Sequence, residues 1–195
     1  ESSCRLVLKR YGIRVTDQCL KELYLSYKMF SQMELDAEME WKLSVYFEQS
    51  LSRAHYIAKR LFEKVVSLEQ GCGKHVLFLF TVALHEYVVE SVELAGLIAA
   101  HGDTTASSIA KVVNQACETF VFEAIDMPMD SSFDATIEKV KSYLEDIPGG
   151  RGLILLVDTG SLSRMYTLIK NSLSGDLMII NNVSTAIALD IGIKI

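Results

Sequence analysis

The second half of this chain leaves little freedom in how it can fold. From Glu93 onward, four short and nearly unbroken apolar runs alternate with segments of helical spacing. The runs are residues 94–100, 119–125, 152–157 and 176–180, all of strand length. Between them, Ile109, Ala110, Val112 and Val113 repeat at helical spacing within 105–117. Phe133, Ile137, Val140 and Leu144 do so within 132–147, where Ser131 or Ser132 serves as cap. Residues 162–173 form a third helix, and a last helix starts at Thr185. A strand that is apolar on every residue is covered on both faces. Strands of that kind alternating with helices predict a parallel sheet with helices on either side. The expected fold is α/β: a doubly wound, mostly parallel sheet flanked by helices and preceded by an all-α N-terminal segment.

In a parallel sheet the carboxyl ends of all strands share one rim, and ligands bind along it. The first strand delivers His101, Gly102 and Asp103 to that rim. The second ends in Asp126, Met127, Pro128, Met129 and Asp130. The third delivers Asp158, Thr159, Gly160 and Ser161, and the fourth Asn181, Asn182 and Ser184. Each motif alone has a plainer reading. A His-Gly pair can be a simple turn, Asp158 can cap a helix, and Asp126 can just end a strand. Their convergence points instead to phosphoryl chemistry. A neutral imidazole nitrogen is a nucleophile toward phosphorus. A carboxylate on the other ring nitrogen fixes the tautomer and stabilises the imidazolium that forms. Glycine lets the backbone approach a phosphate, and the helix start at Thr104–Ser108 offers N–H groups to an anion.

The first half reads as helical. Thr16-Asp17 caps a helix carrying Leu20, Leu23, Tyr24, Tyr27 and Phe30. Residues 35–68 form a second helical stretch that breaks near Ser50-Leu51-Ser52. Gly71-Cys72-Gly73 ends it. Residues 76–89 have strand-like composition, but no turn residue interrupts them before Glu90, so their length favours a helix. Residues 1–15 carry little signal. The expected division is a helical segment over 1–75, which is a linker or part of a regulatory domain, a connecting helix over 76–92, and the α/β domain over 93–195.

Composition narrows the function classes. The net charge is −6 and no dense block of Lys and Arg occurs, which argues against direct nucleic-acid contact. Cys4, Cys19, Cys72 and Cys117 are scattered and form no C-x-x-C pair, which suits reduced thiols in the cytoplasm. The apolar runs are too short to insert in a membrane, and no signal peptide is seen. The chain opens on Glu1 without a methionine and reads as a fragment of something longer. His75 and His85 have no neighbours at metal-ligand spacing, and no metal site is expected.

The order of Leu97-Ile98-Ala99-Ala100-His101-Gly102, Thr105-Ala106-Ser107-Ser108, Asn114-Gln115, Ile125-Asp126-Met127-Pro128-Met129-Asp130 and Leu155-Leu156-Val157-Asp158-Thr159-Gly160-Ser161-Leu162 resembles the mannose-type IIA domain of the bacterial sugar phosphotransferase system. The closer resemblance is to the variant inside levulose-operon-type transcription activators that work with sigma-54 RNA polymerase. Asn181-Asn182-Val183-Ser184-Thr185-Ala186 fits that variant too. The resemblance implies that His101 accepts a phosphoryl group from the phosphohistidine carrier protein of the system, with Asp158 beside it. Gly102, Thr104, Gly160 and Ser161 would then hold the phosphate. No cofactor is implied. A homodimer is implied, and so is a IIB partner for onward transfer. The transport-type motif has two glycines before its serine, whereas Thr159-Gly160-Ser161 has one. That departure suits a regulatory copy, in which phosphorylation sets transcriptional output. Ser52–Leu61, containing His55, loosely resembles the histidine helix of the regulatory domain in such activators; a helix histidine beside a snorkelling arginine is the simpler reading. No G-x-x-x-x-G-K-[ST] loop is present, so the ATPase of such activators is not in this chain.

Three rival classes predict other features. A nucleotide- or flavin-binding enzyme would show a glycine-rich fingerprint after the first strand, where only Gly102 stands. An aspartyl-phosphate receiver would pair Asp103 with a second acid and place a lysine after a late strand. An interaction module would leave His101 without phosphate.

Overall fold

The structure is a computed structural model that describes residues 2–30, 34–66, 73–147, 152–159, 165–173 and 175–195. The chain divides into two units. The first comprises Glu1–Lys9 and Ile13–Glu90, and the second Arg10–Gly12 and Ser91–Ile195.

The first unit is helical: α1 (Ser2–Arg10, whose last residue clusters with the second unit), α2 (Asp17–Phe30), α3 (Ala37–Ser50), α4 (Ser52–Val66) and α5 (His75–His85). The Asp36 side chain starts α3 by accepting the Met39 N–H at 2.8 Å, an ordinary N-cap. The expected break falls at Leu51, between α3 and α4. The carboxylate of Glu90 covers the start of α4, accepting the N–H groups of Arg53 (3.0 Å) and Ala54 (2.8 Å). Residues 75–85 are helical, as their length required. Within this unit α4 packs on α5, with Tyr56, Ile57, Leu61, Val76, Phe80 and Leu84 buried. Helix α1 lies in residues 1–15, where the residue pattern carries little signal.

The second unit runs β1 (Leu94–His101), α6 (Thr105–Cys117), β2 (Phe122–Met127), α7 (Phe133–Asp146), β3 (Gly152–Val157), α8 (Met165–Lys170), β4 (Asp176–Ile180) and α9 (Thr185–Gly192). All four strands are parallel, in the order β2-β1-β3-β4. The doubly wound architecture is as expected. Helices α6 and α9 pack together, as do α7 and α8. Alternation along β1 sends Ile98 and Ala100 toward Ala106, Ala110 and Val113 of α6 and Ala188 of α9. Leu97 and Ala99 face the other way.

The largest departures from the expected boundaries are at β2 and α8. Strand β2 starts at Phe122 and ends at Met127, a shift toward the C-terminus, so Asp126 lies inside the strand and not beyond it. Phe120 and Val121 are buried, but as the approach to the strand. Helix α8 covers Met165–Lys170, shorter than the expected 162–173; residues 162–164 lie outside the described residues.

Asn114 explains why β2 begins where it does. It is fully buried on α6. Its Oδ1 accepts the N–H groups of Val121 and Phe122, both at 2.9 Å. Its Nδ2 donates to Phe122 O (2.8 Å) and Arg10 O (3.0 Å). The side chain thus satisfies main-chain groups at the outer edge of the sheet that no strand pairs. Gly12 lies against the same turn with φ +72°, and a Cβ there would fall 2.2 Å from Asn114 O. Beside it the Tyr11 ring meets Phe120 edge-on at 4.9 Å. The buried Glu123 carboxylate accepts from Arg10 Nη2 at 2.7 Å and Tyr11 Oη at 3.0 Å.

Asn114→Ala leaves four main-chain groups without this partner. The expected loss of stability is about 3 kcal/mol. Urea unfolding followed by amide exchange at Val121 and Phe122 would measure it; a loss below about 1 kcal/mol would show that the edge is held by other means.

Candidate functional site

The strand order sets the place. From β1 the chain passes through α6 to β2 on one side; from β2 it passes through α7 to β3 on the other. The connections leaving β1 and β3 therefore diverge, and the carboxyl ends of these adjacent strands border the crevice where such folds bind ligands. His101 is the last residue of β1, and Asp158 follows the last residue of β3.

These two residues make the central contact. The main-chain N–H of His101 donates to Asp158 Oδ2 at 2.8 Å. Its ring Nδ1 lies 3.1 Å from both carboxylate oxygens. An ionised carboxylate only accepts, so Nδ1 carries the proton and Nε2 keeps its lone pair. The His101 side chain is 36% exposed and that of Asp158 22%, so the imidazole is reachable while its partner is largely covered. One carboxylate thus fixes both the backbone and the ring of the same histidine.

Gly102 makes the turn after the histidine possible. Its φ is +109°, and a Cβ would come 2.6 Å from Thr105 Oγ1. Its N–H donates to Met127 O at 2.8 Å. Its part at the site is to let the chain turn closely there. Thr104 is at the N-cap of α6, exposed, and its side chain makes no capping bond. Gly160 and Ser161 lie outside the described residues.

The other rim residues separate by role. Asp126 turns to α6, accepting the Ser107 N–H at 3.1 Å and the Ser107 hydroxyl. The expectation that the whole of Thr104–Ser108 faces an anion is therefore corrected at Ser107, whose two donors serve Asp126. Ser184 caps α9 through the Ile187 N–H at 3.3 Å. Asp103 and Asp130 are exposed. In the first unit, His55 is buried, bonded to Thr81 Oγ1 at 3.0 Å and stacked with the rings of Phe47 and Phe78. That is the environment of a packed helix histidine. Among the described residues, no cluster of three or more His, Cys, Asp or Glu could hold a metal ion, and no helix is long and apolar enough to cross a membrane. The Ser107–Asp126 pair was not anticipated. The only signal for it was that Asp126 and the start of α6 both belong to the rim.

Residues 96–190 match the EIIA-man family, described as the PTS system fructose IIA component. This stretch is an EIIA-man domain. The match takes in β1 from Gly96 onward, then β2, β3 and β4, and includes both His101 and Asp158. The transcriptional regulatory protein LevR of Bacillus subtilis (strain 168) is 30% identical over 117 residues, covering 59% of this chain and 12% of LevR. The transcriptional regulatory protein DagR of Salmonella typhimurium (strain 14028s / SGSC 2262) is 35% identical over 99 residues, covering 51% of this chain and 10% of DagR. The chain thus spans about a tenth of the length of these relatives. A crystal structure titled sigma-54 interaction domain protein from Enterococcus faecalis aligns with a TM-score of 0.47 at 25% identity, covering 50% of this chain and 73% of that one.

The geometry of the EIIA-man domain predicts the unusual neutral tautomer for His101, with the proton on Nδ1. Nitrogen-resolved NMR of the neutral ring should show it. Asp158→Ala should return the ring to the Nε2–H form that free histidine prefers. A wild-type ring already in that form would remove Asp158 as the orienting group.

Proposed function

We propose that His101 accepts a phosphoryl group from the phosphohistidine carrier protein of the sugar phosphotransferase system, and that its phosphorylation state regulates a sigma-54-dependent transcription activator of sugar-uptake genes. The observation that carries this reading is the contact of Nδ1 and the main-chain N–H of His101 with one carboxylate. It leaves Nε2 as the nucleophile, on a partly exposed ring at the ligand-binding rim of an EIIA-man domain. The similarity to LevR and DagR, both transcriptional regulatory proteins, supports the regulatory side.

In the transfer, the Nε2 lone pair attacks the phosphorus on the carrier's imidazole. The phosphorus–nitrogen bond on the carrier breaks as the one to His101 forms, and the carrier's ring leaves with the bonding pair. The His101 ring becomes cationic during the attack, and the Asp158 carboxylate 3.1 Å from Nδ1–H stabilises that charge. Gly102 lets the following turn stay clear of the incoming group, and Thr104, Gly160 and Ser161 are the proposed donors to its oxygens. The setting is the cytoplasm. Onward transfer to a IIB partner is the transport alternative, and the single glycine before Ser161 favours retention as a signal.

Incubation of this chain with phosphoenolpyruvate, enzyme I and the carrier protein should give an acid-labile, base-stable phosphate. His101→Ala should abolish it, and Asp158→Asn should slow its formation by about a hundredfold. Label that persists in His101→Ala would overturn the assignment. The implied homodimer should appear as twice the chain mass in light scattering at micromolar concentration; a monomer at every concentration would remove it.

A further inference from the structure

The Asp126 carboxylate stands at the same rim as Asp158, yet its hydrogen bonds are made to the first turn of α6. Oδ1 accepts the Ser107 N–H at 3.1 Å and Oδ2 the Ser107 hydroxyl. Thr104 occupies the N-cap and contributes no side-chain bond. The capping function that a helix normally draws from its own N-cap residue thus comes from another strand, nineteen positions along the chain. The neighbouring residue, Met127, holds the start of the same connection by accepting the Gly102 N–H at 2.8 Å through its main-chain oxygen. The two residues that end β2 therefore grip the β1–α6 connection on both sides, one at Gly102 and one at Ser107. His101 immediately precedes that connection, tied on its other flank to Asp158.

We infer that Asp126, acting through Ser107, is a positioning residue for phosphorylation of His101. This rests on the phosphoacceptor reading above. The histidine lies between two strand ends. Asp158 on β3 sets which nitrogen is free and how the ring is turned. Asp126 on β2 sets where the first turn of α6 stands, and hence the path of the short connection that leaves His101. In-line attack on phosphorus tolerates little displacement of the nucleophile, so slack in that connection costs rate. The role is geometric. An asparagine at position 126 can still accept the Ser107 N–H through its oxygen, and its amide can donate to the Ser107 hydroxyl, which also accepts. Loss of charge alone is therefore tolerated, whereas loss of the side chain is not.

The test uses the whole chain and the reconstituted phosphoenolpyruvate, enzyme I and carrier system. Asp126→Ala should reduce the maximal rate of His101 labelling by about tenfold to a hundredfold, with little change in the carrier concentration that gives half-maximal rate. Asp126→Asn should recover most of that loss. Ser107→Ala should be slow as well, and adding it to Asp126→Ala should cost little more. Amide exchange on unphosphorylated protein should show faster exchange at Ser107 in Asp126→Ala and a protected amide in Asp126→Asn. If the wild type takes up label and folded Asp126→Ala labels at the same rate, this inference fails while the phosphoacceptor reading stands. If Asp126→Asn is as slow as Asp126→Ala, the role is one of charge and the inference fails in that form. If Asp126→Ala does not fold, Ser107→Ala decides: labelling at the wild-type rate overturns the proposal. If the wild type takes up no label, the phosphoacceptor reading fails, and this inference falls with it.

Discussion

The reversal of strand order about β1 and β3 is the constraint on which the rest of the second unit depends. Because α6 leaves β1 in one direction and α7 brings the chain back in the other, the ends of β1 and β3 are adjacent and border the crevice. A histidine ending β1 and an aspartate following β3, fifty-seven positions apart, then fall within hydrogen-bonding distance without a dedicated loop. The sheet also supplies stiffness. Ile98, Ala100 and Leu156 are fully buried in the core on the α6–α9 side, so the strands that carry the two residues move little relative to each other.

Of the carboxylates at the rim, Asp158 and Asp126 take different partners, and their surroundings divide the work. Asp158 takes the ring and backbone of His101; Asp126 takes the backbone and hydroxyl of Ser107. Neither serves the other's partner. From sequence alone both are acids at strand ends, and either could have been the acceptor in a receiver-like scheme. Hydrogen-bond partnership separates them.

Much of the architecture could be read from the residues, because continuous apolar runs with helical intervals allow few alternatives. The alternation of strands and helices, the break at Leu51 and the helical state of 75–85 all followed from periodicity and length. What escaped was set by contacts distant in sequence. Phe120 and Val121 read as strand because they are apolar, but Asn114 takes the Val121 N–H before the ladder begins, so the strand starts at Phe122 and not at Thr119. Helix α1 is short, and its apolar residues fall in one run, Leu6-Val7-Leu8, of which Leu6 is largely exposed and Leu8 buried. The Ser107–Asp126 bond could not be foreseen, since whether a strand-end acid faces a ligand or a helix depends on the register of β2.

The three residues Arg10–Gly12 carry a consequence for where this domain ends. The family-model match begins at residue 96, yet the fold recruits Tyr11 against Phe120 and Arg10 and Tyr11 against Glu123, far outside that span. A gene cut at the homology boundary would discard a guanidinium and a phenol from a buried acid and uncover an aromatic ring. The unit inherited by sequence and the unit closed by folding are thus different objects, and the larger one is discontinuous along the chain.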